Sequence, residues 1–469
     1  MANPSPKKKT PRQAVSHSPR KPLGEREIAL EVLSRIEAEN GYASRILEQA
    51  FAAHPELDGR GRSFVTRLVY SVLTYDRRID CLIDGYSKKP ASALEPEIRR
   101  ILELAVAQLV FMDKVPAHAA VSEAVDQAAA VHRYTAGYVN AVLREMARQN
   151  FRESWPDRAS DPVAHWGVRT SLPDWMIALW LEGYGKERMR QIAEALCVPR
   201  RLSVRVNTLK TTPDALAARL KERLGDEAVR PGLYLPEALQ LDAPGDVMQI
   251  PEFTEGLFTI QDESSMLAVR ALDPQPGDRV LDVCAAPGGK STCIAERMRN
   301  IGSVEACDIY PAKLRKIEEN AARLGTSIVK AGLRNALEPA CEERGAYDRV
   351  LLDAPCSGLG VLRNKPDMKR SRKREDIPVL ARQGLEMLRK TAPLVKPGGV
   401  LVYSTCTLSP EENERVVDAF LAENKEFSAE NAARCLRPYP EEACGRYTTV
   451  FPEKEGLDGF FMARLVREE

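Results

Sequence analysis

The chain has 469 residues, 44% hydrophobic and 29% charged, an ordinary globular mix with length for roughly three domains. Lys and Arg number 68 against 67 Asp and Glu, so the chain is not globally basic and any nucleic-acid contact must come from local patches. No apolar run reaches the roughly 18 residues of a membrane-spanning helix; the greasiest stretch, Ile101 to Met112, is interrupted by Glu103 and Gln108.

Residues 1–22 carry Lys7, Lys8, Lys9, Arg12, Arg20 and Lys21 with little apolar surface, and are predicted to form a disordered basic tail. From 23 to 150 apolar residues recur at helical spacing: Ile28, Val32, Leu33 and Ile36, then Phe64, Leu68 and Val72, then Ile101, Leu102, Ala105 and Leu109. An all-helical domain is expected there. Residues 151–270 change character. Trp155, Trp166, Trp175 and Trp180 fall in what reads as helical sequence. A strand at Leu202–Val206, a helix at Pro213–Leu224 and an extended stretch at Leu233–Leu241 follow, together a small α+β module. From 271 to 469 apolar strands (279–283, 303–307, 348–352, 400–403) alternate with helical stretches, which predicts a parallel, doubly wound, Rossmann-like α/β sheet.

The first of those strands runs into Cys284-Ala285-Ala286-Pro287-Gly288-Gly289-Lys290. Small residues and paired glycines let the backbone approach a ligand, and the next helix offers its free N–H groups. Neither GxxxxGK[ST] nor GxGxxG is present. Asp308 closes the second strand, where a carboxylate holds both hydroxyls of a ribose. A nucleoside cofactor without a pyrophosphate, S-adenosylmethionine, fits this set.

Two further motifs end strands on the same side: Asp353-Ala354-Pro355-Cys356-Ser357-Gly358 and Tyr403-Ser404-Thr405-Cys406-Thr407. Ser409-Pro410-Glu411-Glu412 then reads as a capping box, with Ser409 as N-cap. All five histidines precede residue 166, so the last 300 residues cannot assemble a His-activated nucleophile from their own side chains. The ten cysteines contain no CxxC pair, which argues against a zinc ribbon, and they read as reduced cytoplasmic thiols. Cys81, Cys197, Cys293, Cys307, Cys341, Cys435 and Cys444 read as small core residues. Paired thiols at strand ends suit methylation at carbon 5 of a pyrimidine: a thiolate adding to carbon 6 makes carbon 5 nucleophilic. Asp353 is the candidate to stabilise charge at ring nitrogen 3; Lys290, Asp353, the second thiol or water must move protons.

These motifs, with Gln261-Asp262-Glu263-Ser264-Ser265 before them and Asp458-Gly459-Phe460-Phe461-Met462-Ala463-Arg464 after, resemble the RNA cytosine-5 methyltransferases of the Nol1/Nop2/Sun family. The resemblance implies a class I methyltransferase domain that contacts S-adenosylmethionine through Cys284 to Lys290, Asp308 and Asp353. It implies Cys406 as nucleophile and Cys356 as the thiol assisting product release. Val115-Pro116-Ala117-His118-Ala119-Ala120-Val121 and Gly137-Tyr138-Val139-Asn140-Ala141-Val142-Leu143-Arg144 resemble the NusB-type RNA-binding domain. That domain ahead of a Sun-type domain implies a cytoplasmic, monomeric, metal-free enzyme acting on a C967-type cytosine of protein-poor 16S rRNA. The family's acidic residue near the adenine is replaced by Gly332-Leu333-Arg334-Asn335, and its Trp after Pro-Asp-Ile-Lys by Arg370 in Pro366-Asp367-Met368-Lys369-Arg370.

The stretch 363–374 is strongly basic, and Arg363, Lys365, Lys369, Arg370, Arg372, Lys373 and Arg374 are expected to contact RNA phosphates. Two other readings stay open at this level: a tRNA cytosine-5 methyltransferase, and a non-catalytic RNA-binding assembly factor.

Overall fold

The computed structural model describes residues 23–39, 41–112, 115–242, 245–338, 343–453 and 456–469. The expected basic tail at 1–22 and Cys341 lie outside the described residues.

The N-terminal part is helical, as its periodicity requires: α1 (Glu25–Glu39), α2 (Ala43–Ala53), α3 (Gly59–Tyr86), α4 (Pro96–Phe111), α5 (Ala117–Val131) and α6 (Thr135–Arg148). Ile28, Leu33, Leu68, Val72, Ile101, Leu102, Val139 and Leu143 fill one shared core. Asp58 caps α3 by accepting from Gly61 N. α3 is not one regular helix. Tyr75 leaves helical geometry, and the chain kinks there.

α7 (Pro162–Arg169) and α8 (Asp174–Leu196) follow. Trp166, Trp175 and Trp180 lie in them, but Trp155 lies in non-helical chain, where Arg78 stacks on its ring. Next comes a four-stranded sheet, β1 (Leu202–Val206), α9 (Pro213–Leu224), β2 (Val229–Pro231), β3 (Ala238–Leu241), α10 (Pro251–Thr254) and β4 (Phe258–Ile260), in strand order β2-β3-β1-β4. The extended stretch expected over 233–241 is a strand only from Ala238. The backbone N–H groups of Leu233, Tyr234 and Leu235 donate to the Glu263 carboxylate instead of to a neighbouring strand.

The C-terminal part runs α11 (Glu263–Leu272), β5 (Arg279–Asp282), α12 (Gly289–Arg297), β6 (Ser303–Asp308), α13 (Pro311–Leu324), β7 (Val329–Leu333) and β8 (Tyr347–Asp353). It continues through α14 (Met368–Ser371), α15 (Asp376–Thr391), β9 (Val395–Thr405), α16 (Glu414–Glu423), β10 (Phe427–Glu430), α17 (Ala433–Leu436), β11 (Thr448–Val450) and β12 (Phe460–Arg467). The main sheet is ordered β10-β12-β9-β8-β5-β6-β7. Its central strands are parallel, as alternation predicted; β12 pairs antiparallel with β9 and β10, so the sheet is mixed. Alternate residues serve the two faces. Val280, Val304, Leu351 and Val402 pack with Leu267 and Ile294, while Leu281, Val350, Leu352 and Leu401 pack with Leu388, Val417 and Phe420.

Candidate active site

The site lies at the carboxyl ends of β5, β6, β8 and β9, where a parallel sheet leaves its loops free to bind ligands. β8 and β9 are in register with Asp353 opposite Ser404, and Ala354 N donates to Ser404 O at 2.8 Å. That register brings the two cysteine loops side by side. Cys356 Sγ and Cys406 Sγ are 3.5 Å apart, both half-buried and both free thiols.

Their environments differ. The hydrogen bond with Cys356 holds the Cys406 thiol below its ordinary pKa, with Lys290 and Lys365 adding positive charge. The same bond, with burial, pushes Cys356 up. Cys406 is thus the more acidic of the two thiols. Lys290 Nζ sits 2.6 Å from Asp353 Oδ2 and 5.3 Å from the centre of the Phe460 ring, and Ser404 Oγ donates to Asp353 Oδ1 at 2.8 Å. Burial disfavours the Lys290 charge, but Asp353 outweighs it and raises the lysine's pKa.

A buried polar frame fixes both thiol loops. Ser357 N and Oγ donate to Glu412 at 2.8 and 2.6 Å, and Ser357 Oγ meets Thr407 Oγ1 at 2.6 Å. Asn413 accepts from Thr405 Oγ1 and donates to Thr407 O. Trp180 Nε1 on α8 donates to Leu408 O at 2.9 Å, so the preceding module braces the same loop. The capping box expected at Ser409 does not form. α16 begins only at Glu414, and the Glu412 carboxylate accepts from Ser357 N and Oγ. Asn413 was not singled out in the sequence, and Glu412 and Thr407 were read only within local motifs; the partner they share, Ser357, lies in another loop, and no local spacing signals such pairs.

The loop from Cys284 to Lys290 joins β5 to α12. Gly288 has φ +100°, a conformation that favours glycine, and a Cβ there would press on Ile317. Burial pushes the Cys284 thiol up, so it stays neutral. Asp308 ends β6 buried, accepting from Tyr310 N at 3.1 Å, with Lys313 Nζ at 3.4 Å. Asp282 ends β5; one oxygen accepts from Ser291 Oγ at 2.6 Å while Oδ1 is buried without a hydrogen-bond partner. A buried carboxylate oxygen without a partner, a glycine cradle and a second carboxylate at the adjacent strand end fit a nucleoside with a cationic substituent. Where the family acid is missing, Arg334 follows β7 and pairs with Glu305 and Glu343.

Sequence reasoning also passed over Arg205. It is a buried cation on β1, on the face it shares with Ser203 and opposite Val204 and Val206. It donates to Gly289 O at 2.7 Å and pairs with Glu296 of α12 at 2.9 Å.

The basic stretch divides. Arg363 is buried, bonded to Asp458 and to the carbonyls of Glu453, Gly456 and Leu457; Lys369 is buried, paired with Asp76 at 2.7 Å. Neither offers charge to a phosphate, since both are consumed by internal partners. Arg370 also pairs with Asp76, Arg374 with Glu411, and Arg372 donates to the carbonyls of Ser357 and Cys356. Lys365 and Lys373 remain exposed. Among the described residues no cluster of His, Cys, Asp and Glu could hold a metal ion, and no helix is long and apolar enough to cross a membrane.

Comparison with known proteins agrees with this geometry. Residues 269–466 match the family model for 16S rRNA methyltransferase RsmB/F, residues 24–148 the NusB family, and residues 172–248 the RsmF/B-like ferredoxin-like domain. The probable ribosomal RNA small subunit methyltransferase B of Bacillus subtilis (strain 168) is 37% identical over 94% of this chain and 98% of its own. Ribosomal RNA small subunit methyltransferase B of Escherichia coli O7:K1 is 33% identical over the same shares, 94% and 98%. Among solved structures, PH0851 is 26% identical with a TM-score of 0.75, covering 95% of this chain and 99% of that one. NSun6 from Pyrococcus horikoshii, solved with SFG, is 27% identical with a TM-score of 0.55, covering 63% of this chain and 98% of that one. With matching models along all three parts and relatives spanning nearly its whole length, the chain belongs to the 16S rRNA methyltransferase RsmB/F family, an RNA methyltransferase that uses S-adenosylmethionine.

Proposed function

We propose that the chain methylates carbon 5 of a cytosine in 16S rRNA, at a C967-type site, through a covalent bond between Cys406 and carbon 6 of the base. The observation that carries this reading is the thiol pair at 3.5 Å, with its more acidic member beside Lys290. Bound S-adenosylmethionine supplies the methyl group, against residues Cys284, Ala285, Ala286, Pro287, Gly288, Gly289, Asp308 and Asp353. Cys406 as thiolate adds to carbon 6, and the electron pair of the 5,6 double bond becomes available at carbon 5. The Lys290–Asp353 pair, 2.6 Å apart, shares a proton with ring nitrogen 3 and stabilises charge developing there. After transfer the carbon-5 proton passes to solvent, the double bond re-forms and the carbon–sulfur bond breaks toward Cys406. Cys356, still protonated, hydrogen-bonds the departing sulfur. The base must leave its stack to reach these thiols. Exposed Lys365 and Lys373, with the NusB-like part, are assigned to phosphate contact.

The test uses labelled S-adenosylmethionine, protein-free small-subunit rRNA and bulk tRNA, with wild type, Cys406→Ala and Cys356→Ala. Wild type is expected to label rRNA at cytosine carbon 5. Cys406→Ala should abolish transfer and adduct, whereas Cys356→Ala should accumulate a denaturation-resistant protein–RNA adduct. Labelling of tRNA alone would replace the substrate, and loss of adduct only in Cys356→Ala would exchange the two thiols.

A further inference from the structure

The stretch 363–374 is built into the protein as a strap, and its attachments run from the helical N-terminal part to the thiol loop. At its α14 end, Lys369 Nζ donates to Thr74 O at 2.9 Å and Ser171 O at 2.8 Å and pairs with Asp76; Arg370 Nε lies 3.0 Å from the other Asp76 oxygen. The kink at Tyr75 makes room for this. Beside it, Arg78 N donates to Ser171 Oγ at 3.0 Å, and Thr74 O accepts from the lysine. A kinked helix that offers a carbonyl and a buried carboxylate to a lysine from another part is a specific seat.

A few residues on, Arg372 Nε donates to Ser357 O at 3.1 Å and Nη2 to Cys356 O at 3.4 Å. Glu412 grips the same loop from its other side through Ser357 N. The Cys356 peptide is thus held between an arginine on the strap and a glutamate beneath the sheet loop. Two planar donors on adjacent carbonyls fix its orientation in a way a point charge does not.

We propose that Arg372 is a positioning residue for product release. It holds the Cys356 loop so that the Cys356 thiol meets the departing Cys406 sulfur, and the Asp76 seat on the helical part sets where Arg372 stands. This rests on the reading that Cys356 assists release. The step aided is the elimination: carbon 5 loses its proton to solvent, that electron pair re-forms the ring double bond, and the Cys406 sulfur leaves with the carbon–sulfur pair. Arg372 also lines a cavity of about 580 Å³ with Asp76, Arg99 and Arg370, so direct phosphate contact is the competing role.

Single-turnover kinetics on the full chain would separate adduct formation from release in wild type, Arg372→Ala, Arg372→Lys and Asp76→Asn, with Cys356→Ala as reference. Arg372→Ala is expected to form adduct within about twofold of the wild-type rate, release it roughly tenfold more slowly and accumulate it, as expected for loss of a charge-assisted donor. Arg372→Lys should regain part of the release rate, and Asp76→Asn should shift it in the same direction by less. A raised KM for RNA with no added adduct would make Arg372 a phosphate contact and overturn the proposal, as would equal slowing of both steps. If Cys356→Ala itself fails to accumulate adduct, the reading of Cys356 falls and this proposal with it. If Cys356→Ala accumulates adduct and Arg372→Ala behaves as wild type, only the present proposal falls.

Discussion

Cys356 and Cys406 lie 50 residues apart in the chain and 3.5 Å apart at their sulfurs, because Asp353 and Ser404 are paired across two parallel strands. The contact makes the two thiols unequal. The hydrogen bond with Cys356 holds the Cys406 pKa below the ordinary thiol value, and the thiolate fraction rises as pH rises through it.

Alkylation at neutral pH should therefore modify Cys406 ahead of the other cysteines. Cys356→Ala removes that hydrogen-bond partner, so the pH midpoint for Cys406 modification should move upward. At neutral pH its rate should fall roughly tenfold, the worth of one hydrogen bond to a charged atom. Peptide mapping by mass spectrometry across pH reads this directly. An unmoved midpoint would show that Lys290 and Lys365, not Cys356, set the acidity.

Lys290 serves both Asp353 and the thiolate. Lys290→Met keeps the length of the side chain but removes the charge 2.6 Å from Asp353. Methyl transfer is expected to fall by about a hundredfold or more, the usual scale for loss of a proton-handling group. Adduct formation should slow with it, because Cys406 loses a positive neighbour. Rapid-quench measurement of both steps checks the prediction; a change in cofactor affinity alone would confine Lys290 to binding.

Asp282 gives a pH signature. Burial raises its pKa to about 7, far above an unfolded aspartate near 4. The folded form therefore binds the proton more tightly. Its contribution to stability is complete at low pH, declines as pH rises past the unfolded value, and is lost above the folded one. Cofactor-free wild type should lose thermal stability between about pH 4 and pH 7 relative to Asp282→Asn, which has no such proton to release. Parallel unfolding curves for the two proteins across that window would reject the assignment.

Much of this architecture is legible in the sequence for a physical reason. The strands around Val280, Val304, Val350 and Val400 are apolar runs bounded by turn residues, and the Gly288–Gly289 loop is a local backbone requirement. What stays hidden is held by partners far along the chain. Lys369 reads as a solvent-facing cation in a basic run, yet it is buried against Asp76, 293 positions earlier by residue number. Ser409 to Glu412 has every local mark of a helix start, but the Glu412 carboxylate satisfies Ser357 N instead. Spacing encodes local geometry, and these pairs are tertiary.

Gly360 tests how tightly the thiol loops are packed. Its N–H donates to Cys406 O at 3.0 Å, and its own carbonyl accepts from Gly459 N at 2.9 Å. A Cβ at Gly360 would fall on the Gly459 carbonyl. Gly360→Ala should cost about 1–3 kcal/mol, the range for overpacking, and should lower adduct formation because the Cys406 loop has to shift. Thermal unfolding alongside single-turnover kinetics measures both; unchanged values would mean the loops separate freely.

Arg205 ties the small four-stranded sheet to the cofactor loop. Its guanidinium reaches Gly289 O at 2.7 Å, Thr292 Oγ1 at 2.9 Å and both Glu296 oxygens, at 2.9 and 3.0 Å, so α12 is anchored at its first turn and again along its length. Burial opposes this charge, and Glu296 outweighs that penalty and raises the arginine's pKa. Arg205→Lys keeps the charge and loses the planar fork. The Gly289 carbonyl then loses its arginine donor, keeping only Thr292 Oγ1 at 3.1 Å, and the glycine turn loosens, whereas the Cys356–Cys406 pair, on the neighbouring strands, keeps its own frame. Affinity for S-adenosylmethionine should drop roughly tenfold, from about 1.5 kcal/mol for one charge-assisted bond, while thiol alkylation stays as in wild type. Arg205→Met, which leaves Glu296 buried and unpaired, should destabilise the fold by about 3–5 kcal/mol. Isothermal titration of the lysine variant and thermal unfolding of the methionine variant separate the two roles. An unchanged cofactor affinity in Arg205→Lys would reduce Arg205 to a structural ion pair.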